Sequence, residues 1–298
     1  MNKLSTADRV RVIAALVEGC SIRSTVRMTG IAKKTITKLI VDLGTACAAY
    51  HDKHVRNVKS KRIQCDEIWS FVYAKQKNVP AAMQRQFGVG DVWTWTAIDA
   101  DSKLMVSYMV GQRDVDYATA FMKDVSDRLA NRVQLTTDGL KCYLQAVEDV
   151  FVGDVDYAQL IKVYGKELGV PAGRYSPPVV TGCETHVIAG QPDQKHVLTS
   201  FVERQNLTMR MSMRRFTRLT NGFSKKVEYH AHAIAIHYMH YNFCRIHKTL
   251  RVTPAMQAWL SSHVWEIEEL AALVEAEEQK TITSGAMKRG KYKTKISE

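Results

Sequence analysis

Three acidic residues occupy positions where a carboxylate can do chemistry. Asp66 interrupts the apolar run CDEIWSFV, Asp138 ends TTD directly before Gly139, and Glu203 opens the arginine-rich segment SFVERQNLTMRMSMRRF. Carboxylate oxygens are the ligands that hard divalent cations prefer, and arginines hold phosphates. Each acid also has a plainer interpretation: a solvated edge strand for Asp66, a helix N-cap for Asp138, and a complement to the helix dipole for Glu203.

The alternation of residues around Asp66 predicts a strand. Apolar side chains recur with a period of two and Asp66 points to the opposite face, where an acid within a sheet is unfavourable unless it has a partner. Glu67 breaks the apolar set. The apolar positions are Ile63, Cys65, Trp69, Phe71 and Tyr73.

The segments that follow predict how the other two acids are positioned. A hairpin joined at DADSK and an amphipathic helix lead to a short strand at 133–136, and Asp138 stands at its carboxyl end, where ligands gather in open sheets. Residues 151–180 are rich in turn residues and are interpreted as an insertion. One more strand at CETHVIAG precedes the helix that carries Glu203, so the order predicts an α/β fold with a mixed five-stranded sheet flanked by helices.

The helix that begins near Glu203 carries polar partners on the same face. Asn206 and Arg210 lie three and seven residues further on, which places them on one side of a helix. Asn206 is predicted to steady a phosphate or a ligand carboxylate, and Arg210 to hold DNA backbone. Arg214 and the pair Lys225 and Lys226 extend the predicted phosphate contacts.

Residues 1–45 predict a separate DNA-binding module. Three short helices are expected between residues 4 and 44, with a tight turn at Thr29-Gly30, a pattern that fits a helix-turn-helix. The alternative is a small helical bundle that binds another protein. Residues 46–61 are expected to be a linker. The front edge of the third helix offers lysines for phosphates and hydroxyls for base edges: Lys33, Lys34, Thr35, Thr37 and Lys38.

Composition favours a polyanionic partner. The 298 residues carry a formal net charge of +12, with 42 Lys and Arg against 30 Asp and Glu. The sequence contains neither a long apolar run nor a secretory signal, so we expect no membrane association and a cytoplasmic location. Six scattered cysteines without a CxxC pair argue against a disulfide framework or a zinc ribbon. Residues 256–298 are expected to form a helix and a basic tail.

The combination of motifs resembles the ribonuclease-H-like catalytic core of DDE transposases and retroviral integrases. CDEIWSFV, TTDG, and SFVERQNLTMR followed by FSKKVE are similar to the transposases of short bacterial insertion sequences, within the family whose founding member encodes its enzyme by frameshifting. The resemblance implies a catalytic core over residues 62–255. It also implies that Asp66, Asp138 and Glu203 form a catalytic triad that binds two Mg²⁺ ions, with Mn²⁺ as an alternative.

The spacing of the acids leaves one alternative for the third ligand. The interval between Asp138 and Glu203 is longer than the corresponding interval in the best-known integrase pattern. The insertion at 151–180 accounts for the excess, although Glu184 remains an alternative to Glu203.

The resemblance also implies a function. The chain is expected to bind the terminal inverted repeats of an insertion sequence through residues 21–44, to cut and join DNA with its triad, and to act as a homo-oligomer on DNA in the bacterial nucleoid. Two rivals are a DNA-binding regulator that has lost catalysis and a nuclease that cuts without joining.

Overall fold

The computed structural model describes residues 3–84, 86, 88–165, 179–217 and 221–283. Within these residues the chain forms an α/β fold with one mixed sheet and helices on both of its faces. The strands are β1 (Arg62–Val72), β2 (Gly90–Asp99), β3 (Met105–Gly111), β4 (Gln134–Thr137), β5 (Asp156–Gly165) and β6 (Val179–Ala189). The helices are α1 (Thr6–Val17), α2 (Ile22–Thr29), α3 (Lys33–His54), α4 (Val115–Arg128), α5 (Cys142–Phe151), α6 (Ser200–Ser212), α7 (Val227–Met239), α8 (Pro254–Gln257) and α9 (Ile267–Thr283).

The first three helices form where local sequence signals place them. The Ser5 hydroxyl accepts the backbone N–H of Asp8 at the start of α1, and the Ser21 hydroxyl accepts that of Ser24 at the start of α2. Gly30 ends α2 with a left-handed φ of 72°, which glycine adopts without steric penalty. That these helices form a DNA-binding helix-turn-helix stays a prediction.

Helix α3 extends beyond the predicted module and joins it to the rest of the chain. It continues through the first half of the predicted linker to His54. Ile36, Leu43 and Cys47 on α3 are fully buried in the same hydrophobic cluster as the sheet residues Cys65 and Trp95. The N-terminal helices therefore pack directly on the α/β core.

The sheet has the strand order β3-β2-β1-β4-β5-β6. Strand β1 pairs antiparallel with β2 and parallel with β4, and β4 pairs parallel with β5. β6 returns antiparallel to β5 at the outer edge. Because β1 lies inside the sheet, the edge-strand interpretation of Asp66 is wrong.

The sheet has one strand more than the five that the sequence predicts. The additional strand is β5, which falls within the range interpreted as an insertion, and it forms a hairpin with β6. Only its first half has a buried run, whereas Val163 and Tyr164 in the second half are exposed, so its alternation is weak. The remainder of the predicted insertion, residues 166–178, lies outside the described residues.

Two hydrophobic clusters cover the faces of the sheet. On one face Trp95 packs against Phe121 of α4 and Tyr143 of α5, with ring centroids 5.9 and 5.4 Å away. On the other face Ile68 packs in a cluster with Val202 of α6 and Ile234 of α7. Helix α6 is thereby held along the face of β1 that also carries Asp66.

The C-terminal part of the described chain returns to the N-terminus. Helix α9 packs on α1 and α3, and Glu278 forms an ion pair of 2.8 Å with the buried Arg9. The predicted basic tail, residues 284–298, lies outside the described residues. No helix in the described ranges is both long and apolar enough to cross a membrane.

Candidate active site

The register of two parallel strands brings Asp66 and Asp138 to the same level of the sheet. β1 pairs with β4 through Arg62 and Gln134, and then through Gln64 and Thr136. Continuing this register by two further positions on each strand places Asp66 beside Asp138. Asp138 follows the last residue of β4, which puts its side chain at the carboxyl edge of that strand.

Three carboxylates converge at this point. Asp66, Glu67 and Asp138 each offer an oxygen, and these oxygens lie within 4.8 Å of one another. Asp66 Oδ1 accepts the backbone N–H of Glu67 at 2.9 Å, and Asp138 Oδ1 accepts that of Leu140 at 3.1 Å. One oxygen of each aspartate is therefore fixed by backbone.

The pKa values of the three acids are raised, chiefly by burial and in part by the charge of neighbouring acids. Burial and the neighbouring Asp138 carboxylate raise the pKa of Asp66 to about 7. Burial, with Asp138 again contributing, raises the pKa of Glu67 to about 8. Burial also raises the pKa of Asp138, against the opposing hydrogen bond from Leu140 and the charge of Arg113.

One guanidinium group bridges two of these acids. Arg113, in the loop between β3 and α4, donates from Nε to Glu67 Oε2 at 3.1 Å, and its Nη2 lies 3.8 Å from Asp138 Oδ2. The same group stacks over the ring of Trp93, with Cζ 4.6 Å from the ring centroid. Arg113 thus supplies a fixed positive charge beside the acids.

Glu203 flanks the cluster from α6. Its carboxylate accepts a hydrogen bond from the Thr199 hydroxyl at 2.5 Å on Oε1, and Lys162 of β5 forms an ion pair with Oε2. The Glu203 charge contributes to the raised pKa of both Asp66 and Asp138. Its oxygens are not part of the 4.8 Å group, so within the described residues Glu203 stands next to that group.

Glu184, the alternative third acid, lies elsewhere. It is on β6, opposite Ile161 of β5, and its carboxylate is 3.5 Å from the exposed His186. Among the candidate third acids, Glu203 is the one whose charge raises the pKa of Asp66 and Asp138. The choice of Glu203 over Glu184 as the third ligand stays a prediction.

Asn206 contacts a carboxylate of the cluster. Its Nδ2 donates to Asp66 Oδ2 at 2.8 Å, and the residue is buried. Of the two roles that the sequence allows for Asn206, this contact favours the steadying of a ligand carboxylate.

The other residues predicted to bind DNA differ in how exposed they are. Lys33, Lys34 and Lys38 on the first turns of α3 are exposed and Thr35 is half-buried. Lys38 also forms an ion pair with Asp42 one turn away. A basic front edge therefore exists on α3, and its contact with DNA stays a prediction.

The predicted phosphate contacts around α6 and α7 are also partly accessible. Arg214, Lys225 and Lys226 are exposed, and Arg210 is half-buried. The Lys225 ammonium lies 3.5 Å from the ring centroid of Phe223. That these residues contact phosphates stays a prediction as well.

Four residues of the site were not predicted from the sequence: Glu67, Arg113, Lys162 and Thr199. The sequence marked Glu67 only as a break in the apolar alternation, although an acid that interrupts a buried strand next to another acid is itself a signal. Arg113 and Lys162 reach the site from elements distant in sequence, and no local pattern indicates that contact.

The donor set fits a hard divalent cation. Carboxylate oxygens are the preferred ligands of Mg²⁺ and Mn²⁺, and a bound cation would offset the burial and the mutual repulsion that raise the pKa values of Asp66 and Glu67. The three acids of the 4.8 Å group, with Glu203 beside them, are the residues that would hold such an ion.

Comparison with known proteins gives partial similarities. No protein-family model matches the chain, and no curated protein does. A cryo-EM structure of a piggyBac transposase synaptic complex with hairpin DNA is 12% identical, with a TM-score of 0.43, over 95% of this chain and 73% of that chain. The crystal structure of the Mos1 strand transfer complex is 10% identical, with a TM-score of 0.24, over 53% of this chain and 59% of that chain. A Mos1 mariner paired-end complex with Mn is 9% identical, with a TM-score of 0.22, over 51% of this chain and 57% of that chain.

Proposed function

We propose that the chain is a metal-dependent DDE transposase that cuts and joins DNA at the ends of an insertion sequence. The observation that carries the proposal is the convergence of Asp66, Glu67 and Asp138 at the level where two parallel strands adjoin, with Glu203 beside them. Glu67 is buried, Asp66 and Asp138 are half-buried, and the pKa values of all three are raised, a state that a bound divalent cation would relieve.

The residues of the chain orient the acids for this chemistry. Asn206 and the backbone of Glu67 hold Asp66, while Thr199 and Lys162 hold Glu203. When bound, two Mg²⁺ or Mn²⁺ ions activate the attacking oxygen and stabilise the leaving oxygen of a phosphodiester. In the proposed reaction hydrolysis leaves a 3′-hydroxyl at the element end, and this hydroxyl then attacks target DNA. No covalent protein–DNA bond is required.

The proposal assigns DNA binding to the basic surface of the same chain. Residues 21–44 would recognise the terminal inverted repeats, with the exposed lysines at the start of α3 on phosphates. Arg214, Lys225 and Lys226 would contact further backbone phosphates. Because two element ends must be joined, the active form would be a homo-oligomer assembled on DNA.

A strand-transfer assay tests the proposal. A labelled duplex that ends in the terminal inverted repeat is incubated with Mg²⁺ and a target plasmid. One reaction contains the wild-type protein and the other contains Asp138→Asn. We expect cleaved and joined products from the wild type and a loss of at least about 100-fold in the variant, because Asp138 lies within the acid group.

The same assay separates the rival functions. Both proteins should bind the duplex with equal affinity in a mobility-shift measurement. Nicked DNA without joined product would indicate a nuclease, and binding without any Mg²⁺-dependent cleavage would indicate a regulator. Equal joining by Asp138→Asn would show that the proposed site is wrong.

A further inference from the structure

The start of helix α6 is capped by a side chain from another element. Gln64 of β1 accepts two backbone N–H groups through its Oε1, from Phe201 at 2.9 Å and from Val202 at 3.2 Å. Gln64 is only 2% exposed. One amide oxygen therefore satisfies two of the N–H groups that the start of a helix leaves without intrahelical partners.

The residue at the N-cap position of α6 does not cap the helix. Thr199 occupies the N-cap position, but its side chain makes no capping hydrogen bond. Its hydroxyl instead donates to Glu203 Oε1, one turn further along the helix. Because Lys162 contacts the other oxygen, both oxygens of Glu203 are held, and capping is left to Gln64.

A second contact holds α6 to β1 four residues further along. Asn206 donates to Asp66, and Asp66 and Gln64 lie on the same face of β1 because they are two residues apart. Two strand residues span about 6.6 Å, and the four helical residues from Val202 to Asn206 rise about 6 Å. The two spacings match, so α6 lies along β1 with Glu203 between the two contacts.

We propose that Gln64 is a positioning residue that fixes the axial position of α6 and thereby holds the Glu203 carboxylate at the acid cluster. The inference rests on the proposed function, in which Glu203 acts together with Asp66 and Asp138. Gln64 does not belong to the acid group itself. Its effect passes through the backbone of Phe201 and Val202.

Two variants test this role. Gln64→Met keeps the volume and removes the acceptor. Ser70→Ala is the matched control, because Ser70 is a buried hydrogen-bonding residue on the same strand face and its hydroxyl contacts Val92 and His230 instead of α6. Thermal denaturation first establishes that each variant is folded.

Hydrogen exchange and Mn²⁺ binding give readouts that do not depend on activity. We expect the backbone of residues 199–204 to exchange at least about tenfold faster in Gln64→Met, because the cap is lost. We expect its Mn²⁺ affinity, measured by calorimetry without DNA, to fall about 10–100-fold, as is typical when the support of a ligand is removed. Ser70→Ala should stay within about threefold of wild type in both measurements, and DNA affinity should be unchanged throughout.

The outcomes distinguish the inference from the function on which it rests. If wild type binds Mn²⁺ at a site that Asp138→Asn removes, and Gln64→Met binds it equally well, then Gln64 does not position Glu203 and the inference is wrong. A Ser70→Ala variant as impaired as Gln64→Met would contradict it in the same way. Absence of Mn²⁺ binding in the wild type would instead overturn the proposed function, and the inference with it.

Discussion

At the scale of single residues, the negative charge of the acid group and of Glu203 is partly compensated by cationic side chains of the chain itself. Arg113 contacts Glu67 and lies close to Asp138, while Lys162 pairs with Glu203. The Glu67 side chain is almost fully buried, so its charge has little access to water. A buried carboxylate of this kind is tolerated because a charged partner is fixed beside it.

Substitution of Arg113 by Met should destabilise the protein in a pH-dependent way. The charge of Arg113 lowers the pKa of Glu67 and Asp138 against the effect of burial, so its loss matters most where both acids are ionised. We expect the free energy of unfolding to fall by about 1–3 kcal/mol at pH 8.5 and by less at pH 5, where Glu67 is protonated in either protein. Urea denaturation at the two pH values measures the effect.

The control for this change is Lys123→Met, which removes the exposed ion pair with Asp127 on α4. Such surface pairs contribute about 0–1 kcal/mol. Equal losses for Arg113→Met and Lys123→Met, or a loss from Arg113→Met that does not vary with pH, would show that Arg113 does not compensate the buried acids.

Asp66→Asn should stabilise the metal-free protein. The increase in the free energy of unfolding relative to wild type should grow with pH. The pKa of Asp66 is raised to about 7 in the fold, whereas an aspartate in an unfolded chain titrates near 4. Between these values the native state retains a proton that the unfolded state has released, so the contribution of Asp66 to stability falls as pH rises from about 4 to 7. Asparagine does not ionise and escapes this loss.

Subtracting the free energy of unfolding of the wild type from that of Asp66→Asn isolates the effect of Asp66, because the buried histidines titrate in both proteins. In the presence of a chelator we expect the advantage of Asp66→Asn in urea denaturation to be near zero at pH 4, to rise by about 2–4 kcal/mol by pH 8, and then to level off. Saturating Mn²⁺ should reduce it, because the ion stabilises the wild type. A difference that stays flat from pH 4 to 8 would contradict the raised pKa.

At the scale of elements, the crossing of α3 and α7 attaches the N-terminal helices to the core. Gly44 lies at this crossing, and a Cβ added there would be 2.4 Å from His232 Cβ and 2.8 Å from the His232 carbonyl oxygen. Only a residue without a side chain permits this approach. The choice of glycine inside a 22-residue helix follows from packing, since glycine is unfavourable for the helix itself.

Gly44→Ala should therefore be destabilising, although alanine favours helices. We expect the overlap with His232 to outweigh the gain in helix propensity and to lower the free energy of unfolding by about 1–3 kcal/mol. Gly182→Ala on β6 is the control, because an added Cβ meets no atom within 4 Å there. A stabilised Gly44→Ala variant would show that α3 and α7 do not approach as closely as described.

Elements with strong local signals were predictable, and elements with weak signals were not. The first three helices, β1 and the hairpin of β2 and β3 follow from periodicity, serine caps and turn residues. β5 was missed because its exposed second half alternates weakly and is followed by turn residues. The contact of Gln64 with α6 joins segments far apart in the chain, and no local pattern in either segment indicates it.

At the scale of the whole molecule, a chain with a net charge of +12 also contains a local concentration of acids. The exposed lysines of α3 lie at the start of a helix whose later turns are buried against the sheet and α7. DNA held by that basic edge would thus be held by the same folded body that contains the acids. Long-range attraction of a polyanion and a site for cations can coexist because the first depends on the charge of the whole surface and the second on a few acids held close together.

Lys34→Ala should weaken DNA binding and reduce its dependence on salt. Lys34 is exposed, and a lysine on a phosphate releases about one counterion when DNA binds, so its loss should lower the slope of log K against log salt concentration by about 0.9. Fluorescence anisotropy with a labelled terminal-repeat duplex, titrated from about 50 to 250 mM salt, measures both effects. Lys123→Ala on α4 removes one exposed charge of the same type and serves as the control. If both variants lower affinity equally and leave the same slope, the lysine of α3 makes no specific phosphate contact, and DNA binding must be assigned to another surface.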